Sequence, residues 1–257
     1  MDLGLRGKVA LVPGATSGLG AAVVRTLAAE GAHVVFGGRR ADLAEKLAAD
    51  LPSAVGIGVD ITDPDGPRGL LDTAIDRFGQ VDVLVLNGGG PAPSTASSLS
   101  ADEALEAVRL LLAPHLRLIG GALPGMRERG WDRIVAIGST GIQQPIESLV
   151  ASNVGRSALA GYLKTLAAEV AADGVTVNLV LPGRIETDRM SQVYGAMAAG
   201  SSETEDAIRA AARAEIPAGR FGTPDEFAAA VAFLASSHAA YVTGEQLRCD
   251  GGLVRTH

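Results

Sequence analysis

Three glycines, Gly14, Gly18 and Gly20, stand in the spacing G-x-x-x-G-x-G between a short apolar run at 9–12 and a helical pattern at 21–30. Strand, glycine turn and helix in that order make a cradle for an anion. Glycines let the backbone turn sharply and approach a pyrophosphate, and the helix N-terminus attracts its charge. The turn as a whole, including Thr16, Ser17 and Leu19, is the candidate phosphate loop of a dinucleotide site.

A second apolar run at 33–36 ends in Gly37-Gly38-Arg39-Arg40. An acid in this place accepts from a ribose 2′-hydroxyl, whereas guanidinium groups pair with a 2′-phosphate dianion that an acid would repel. Basic residues gain nothing from the dipole at a helix start, which favours a ligand role for Arg39 and Arg40 over a merely solvated one. The expected cofactor is NADP(H).

Polar side chains gather after two later strands. Ser139 follows a strand at 133–137, with Thr140, Gln143, Gln144, Ser152 and Asn153 behind it; Arg184, Glu186 and Asp188 follow another at 175–180. Ser139 offers a hydroxyl to orient a substrate oxygen, or a cap for the strand end. Arg184 offers a fixed positive charge to an oxyanion in a dry site, or an ion pair to Glu186 or Asp188.

These residues need a scaffold that brings distant turns to one edge. Further strands are expected at 54–59, 81–86 and 246–249, and helices at 43–51, 68–78, 150–172 and 224–236. A helix from 102 should end or kink at Pro114, with a separate helical stretch running to 128. Strands apolar on both faces, alternating with helices, predict one α/β domain over 1–257: a doubly wound, mainly parallel Rossmann sheet with helices on both faces. The strand ends near 12, 36, 60, 87, 138 and 181 should line one edge, where such sheets bind ligands. Residues 188–216, loosened by Gly195 and Gly200, are expected to form a substrate-binding lid with helix in pieces.

Composition narrows the partners. The chain has 257 residues, 47% hydrophobic, with 33 glycines and 4% aromatics, so its core rests on Ala, Val, Leu and Ile. A net charge of −7 with no basic run argues against nucleic acid. Cys249 is the only cysteine, and His33, His115, His238 and His257 lack ligand spacing, so neither an intrachain disulfide nor a metal is expected. No signal-like start or membrane-length apolar stretch is present, which predicts a cytoplasmic protein.

Several segments in order resemble the short-chain dehydrogenase/reductase family across essentially the whole chain. They are the glycine loop, Val59-Asp-Ile-Thr62, Val83-Leu-Val-Leu-Asn-Gly-Gly-Gly90, Pro182-Gly-Arg-Ile-Glu-Thr187, Tyr241-Val-Thr-Gly244 and Asp250-Gly-Gly252. The resemblance implies cofactor contacts at Asp60 and Ile61 near the adenine, at Asn87, Gly88 and Gly89, at Asn153, and at Pro182, Gly183, Ile185 and Thr187 around the nicotinamide. It also implies a catalytic Ser, Tyr and Lys, with a helix Asn. Ser139 matches the Ser. Leu149 stands in place of the Tyr, Asn153 of the Lys and Leu111 of the Asn. Gln144-Pro-Ile146, Leu149-Val-Ala-Ser-Asn153 and Pro182-Gly-Arg184 resemble an atypical subgroup similar to 3-oxoacyl-(acyl-carrier-protein) reductases.

Leu149 has no ionisable group and cannot be the acid. Tyr162 and Lys164 are two apart on a helix, and Tyr194 falls in the lid. Catalytic candidates are therefore Ser139, Arg184 and Asn153. Three functions stay open: an NADP(H)-dependent reductase of a ketone or enone, a non-redox cyclase, isomerase or dehydratase on the same fold, and an inactive NADP(H)-binding protein. Met190, Tyr194, Met197 and Ile208 in the lid suit a largely apolar small molecule, an acidic one being accommodated only by Arg184 or Arg189. The resemblance implies a homodimer or homotetramer.

Overall fold

The computed structural model describes residues 2–256; Met1 and His257, the last of the four scattered histidines, lie outside the described residues. Seven strands form one sheet: β1 (Val9–Val12), β2 (His33–Gly38), β3 (Ala54–Gly58), β4 (Val83–Leu86), β5 (Asp132–Ile137), β6 (Val175–Pro182) and β7 (Gln246–Cys249). Their order is β3-β2-β1-β4-β5-β6-β7, and every neighbouring pair is parallel. All C-terminal strand ends therefore share one edge, and the order reverses between β1 and β4.

Alternation along each strand divides the core into two layers. Ala10, Val12, Val34, Phe36 and Val135 face α1 (Gly18–Ala29), α2 (Ala41–Ala49) and α8 (Pro224–Ala235). Leu11, Val35, Leu84, Ile134 and Val177 face α3 (Gly66–Phe78), α4 (Ala101–Arg129) and α5 (Val150–Val170). Both layers are apolar, so the strands read as continuous hydrophobic runs.

The helix expected to end or kink at Pro114 does not end there. α4 runs unbroken through Pro114 and Pro124. Each proline removes a backbone donor at a cost of about 3 kcal/mol. Leu111, Leu118, Ile119 and Met126 are all buried on this helix, and burying such a side chain contributes about 1.5–3 kcal/mol. Packing outweighs the local penalty, and the Ser100–Glu103 capping box and left-handed Gly130 fix the two ends.

Between 188 and 216 the chain forms α6 (Asp188–Ala199) and α7 (Glu205–Ala214). Gly195 lies inside α6 without interrupting it, and the break comes only at Gly200. Tyr194, Ile208, Ala212, Ile216 and Phe221 make a small core of their own beneath these helices.

Candidate active site

The switch point between β1 and β4 is tied together by one side chain. Asn87, just past β4, donates from Nδ2 to the carbonyls of Gly14 (2.9 Å) and Pro13 (3.1 Å). Gly14 takes a left-handed φ of 63°, and a Cβ on Gly20 would lie 2.7 Å from Asn87 Nδ2 and from the Gly14 oxygen. The loop therefore closes on itself only with glycine at these places. Ser17 starts α1 but makes no side-chain cap, so the first-turn amides stay available to an anion.

Arg40 reaches across from the end of β2. Its Nη2 donates to Ser17 Oγ (2.7 Å) and Thr16 Oγ1 (3.3 Å), which holds a guanidinium over the glycine turn. Leu19 follows Gly18 in the first turn of α1 and packs against the core. Arg39 is exposed beside Asp60. The Thr62 amide and hydroxyl hold the Asp60 carboxyl below the usual carboxylate range, with a smaller contribution from Arg39. Ile61 is buried next to Gly88, where a Cβ would lie 3.2 Å from its Cδ1.

On the β6 side, Gly183 donates to the Cys249 carbonyl at 3.0 Å, and a Cβ there would lie 2.6 Å from Asp250. Pro182 ends the strand and Ile185 is buried. Thr187 caps α6 through Oγ1, and a Cβ on Gly18 would lie 3.8 Å from its methyl group. Glycine loop and Thr187 thus meet across the strand edge. Gly89 is exposed, and a Cβ there would meet nothing within 4 Å.

Ser139 Oγ accepts from the Gly141 amide at 3.0 Å, capping a 3-10 turn while keeping its own hydrogen for another acceptor. Asn153 donates from Nδ2 to the Ile146 carbonyl at 2.9 Å, and its Oδ1 faces Gly141. Leu149 sits at the N-cap of α5 and bridges to Ser94, whose hydroxyl is buried without a partner. Leu111 is buried against Gly155 of α5.

Arg184 is engaged elsewhere. It donates to the Ala212 carbonyl and to Glu215, each at 2.5 Å, at the end of α7. The expected partner Glu186 pairs instead with Arg209, and among the described residues no ion pair joins Asp188 to Arg189. Tyr194 is buried against Phe221 with Arg209 over its ring, and burial raises its phenol above the ordinary range. Lys164 donates to the Gly244 carbonyl.

Of four further polar side chains at this edge, Ser94 and Arg156 go unremarked in the sequence, His115 stands out there only as lacking ligand spacing, and Arg189 only as a residue to receive an acidic substrate. Besides Ser94, His115 on α4 is buried with no partner for Nδ1, and burial, then Arg156, pushes its imidazole down to about 4. Arg156 on α5 and Arg189 on α6 both approach the place that a Cβ on Gly90 would occupy. The readable signal was spacing: Leu149, Asn153 and Arg156 recur at helical period on one face of α5.

The sequence matches the family described as enoyl-(acyl carrier protein) reductase over residues 14–254. It is 35% identical to the 3-oxoacyl-(acyl-carrier-protein) reductase FabG of Vibrio cholerae serotype O1, over 98% of this chain and 99% of that one. The fold is similar to L-sorbose reductase from Gluconobacter frateurii complexed with NADPH and L-sorbose, with a TM-score of 0.94 and 32% identity over 100% of both chains. It is also similar to actinorhodin polyketide ketoreductase with NADPH, with a TM-score of 0.91 and 32% identity over 97% of this chain and 98% of that one.

Proposed function

The chain belongs to the short-chain dehydrogenase/reductase family, and from that membership we propose that it is an NADPH-dependent reductase of a ketone or enone with a non-standard proton path. The carrying observation is the Arg40 guanidinium held on Ser17 and Thr16 above a glycine turn that Asn87 clamps from the neighbouring strand. NADPH, when bound, supplies the hydride. Gly14, Gly18 and Gly20 leave the room that its pyrophosphate needs, and Arg39 and Arg40 pair with the 2′-phosphate. Asp60 and Ile61 serve the adenine end; Asn87, Gly88, Gly89, Pro182, Gly183, Ile185 and Thr187 serve the nicotinamide end.

Ser139 donates its free hydrogen to the substrate oxygen and stabilises the charge that grows there. Asn153 offers Oδ1 to a ribose hydroxyl. Leu149 provides an apolar wall where relatives carry the proton donor, so the alkoxide takes its proton from water. The helices over 188–216 act as the lid, and Arg184 serves it by bracing α7 rather than by touching substrate. α4 and α5, with Leu105 and Val154 exposed on them, are the faces proposed to pair in a homodimer or homotetramer. Among the described residues no helix is long and apolar enough to cross a membrane, in keeping with the proposed cytoplasmic location.

Because Leu149 has no acidic proton, a non-redox cyclase, isomerase or dehydratase is the second reading. Stopped-flow absorbance at the nicotinamide band over a carbonyl panel separates them. Single-turnover loss of NADPH is expected; a transformed substrate with NADPH intact supports the second reading, and NADPH binding with no product an inactive binder.

A further inference from the structure

Arg156 shares the inward face of α5 with Leu149 and Asn153. Its Nη1 donates to the Ile137 carbonyl at 2.9 Å and its Nε to Ser152 Oγ at 3.3 Å, both neutral groups. Among the described residues Nη2 has no partner and no carboxylate pairs with this guanidinium. Arg189, in the first turn of α6, likewise makes no ion pair among the described residues. The two converge: a methyl group on Gly90 would lie 3.6 Å from Arg189 Nη2 and 3.9 Å from Arg156 Nη2. His115, neutral in its buried position, adds an unpartnered Nδ1 nearby.

Two guanidiniums so close repel, and burial, then Arg189, pushes Arg156 down to about 10. Three other part-buried arginines are paired with carboxylates, Arg129 with Asp132, Arg184 with Glu215 and Arg209 with Glu186, whereas the fully buried Arg133 donates to the Ser236 and Asp132 carbonyls. An oxyanion between Arg156 and Arg189 would remove the repulsion and satisfy the free donors, and a guanidinium fork suits a planar carboxylate.

We propose that Arg156 and Arg189 form a subsite for a carboxylate carried by the substrate, so that the reductase acts on oxo acids. The subsite stands at the end of β5 beside Asn153 and one residue past Gly89, and one of its two cations rides on the lid. A bound carboxylate therefore links α6 to α5. This inference rests on the reductase reading in taking the β5 edge as the substrate side. The other source of the same chemistry is the cofactor's pyrophosphate.

The test is calorimetric titration of the NADPH-loaded protein with levulinate and 2-oxobutanoate, each against its methyl ester, alongside NADPH titrations of every variant. The wild type is expected to bind at least one acid about tenfold or more tighter than its ester. R156Q and R189Q should each abolish that preference, R156K should retain part of it, and NADPH affinity should change by less than about threefold. No acid preference in the wild type, or an undiminished one in both glutamine variants, overturns the proposal. So does a loss of NADPH affinity with the acid preference intact, which would give the arginines to the pyrophosphate. Should NADPH fail to bind the wild type, the reductase reading falls, and the same titrations on the ligand-free protein still decide the subsite. Arg189 is exposed, so R189Q answers even if R156Q does not fold.

Discussion

Asn87 and Gly14 are joined by a 2.9 Å hydrogen bond from side-chain amide to backbone carbonyl across 73 residues of sequence. The bond is the seam between the two halves of the sheet. Removing the amide in N87A leaves the Gly14 and Pro13 carbonyls without their donor, at about 1 kcal/mol each. NADPH affinity should fall about tenfold or more, read by nicotinamide fluorescence, with a small drop in melting temperature. Unchanged affinity would mean that the loop holds its shape without the clamp.

Arg39 and Arg40 are the residues proposed to decide which nicotinamide cofactor is taken. The double variant R39A/R40A should weaken NADPH by about ten- to a hundredfold, the range of lost charge-assisted contacts, and leave NADH within about threefold. The ratio of the two dissociation constants is the readout. An equal loss for both cofactors would place the arginines in loop stability instead.

The Arg184 brace makes a separate prediction about the lid. R184A frees the Ala212 carbonyl and Glu215 at the end of α7. The pair is half in water, so the global stability change should stay under about 1 kcal/mol. The expected signature is faster proteolysis within 200–216 and a raised KM, with NADPH affinity unchanged. A fall in kcat with KM constant would return Arg184 to the chemistry.

Much of this architecture was legible because it depends on patterns that tertiary context cannot easily override. Val9–Val12 and Val83–Leu86 are apolar on both faces, which only a sheet covered on both sides accommodates. The continuity of α4 through Pro114 was not legible, since it is decided by the buried face that carries Leu118 and Met126. The partner of Arg184 was hidden for the same reason: Glu215 is 31 residues away and meets it only through the packing of α7. Arg156 was obscured by its setting in an Ala-rich helix, where inward direction depends on knowing which face meets the sheet.

Asp132 gives the fold a pH dependence. Its Oδ1 accepts from Arg129 at 2.7 Å, its Oδ2 is buried without a partner, and burial pushes the carboxyl up to about 6 against the pull of Arg129. Between an ordinary unfolded value of 3.8 and about 6, the folded chain binds more protons than the unfolded one. Stability from this group is therefore full below the lower value and is lost as pH rises through the upper one. Compared with D132N in urea unfolding, the wild type should lose on the order of 1–2 kcal/mol between pH 4 and pH 7. A constant difference over that range would show that Asp132 stays ionised.

The sharpest prediction concerns the missing proton donor. Leu149 and Asn153 stand one turn apart at the start of α5, so L149Y/N153K places a phenol and an ammonium on the same face beside Ser139. The ammonium would lower the phenol's pKa, and the phenol would then protonate the oxygen that Ser139 is proposed to orient. General acid catalysis contributes about a hundredfold or more, so single-turnover oxidation of NADPH by a ketone should rise by about that factor. L149Y alone should do much less, because an unassisted phenol titrates near its ordinary value of about 10. The rate should also acquire a pH dependence, falling as the phenol ionises, which the wild type lacks. If the double variant binds NADPH as tightly as the wild type yet gains nothing, the reacting oxygen does not lie at this end of α5, and the non-redox reading takes precedence.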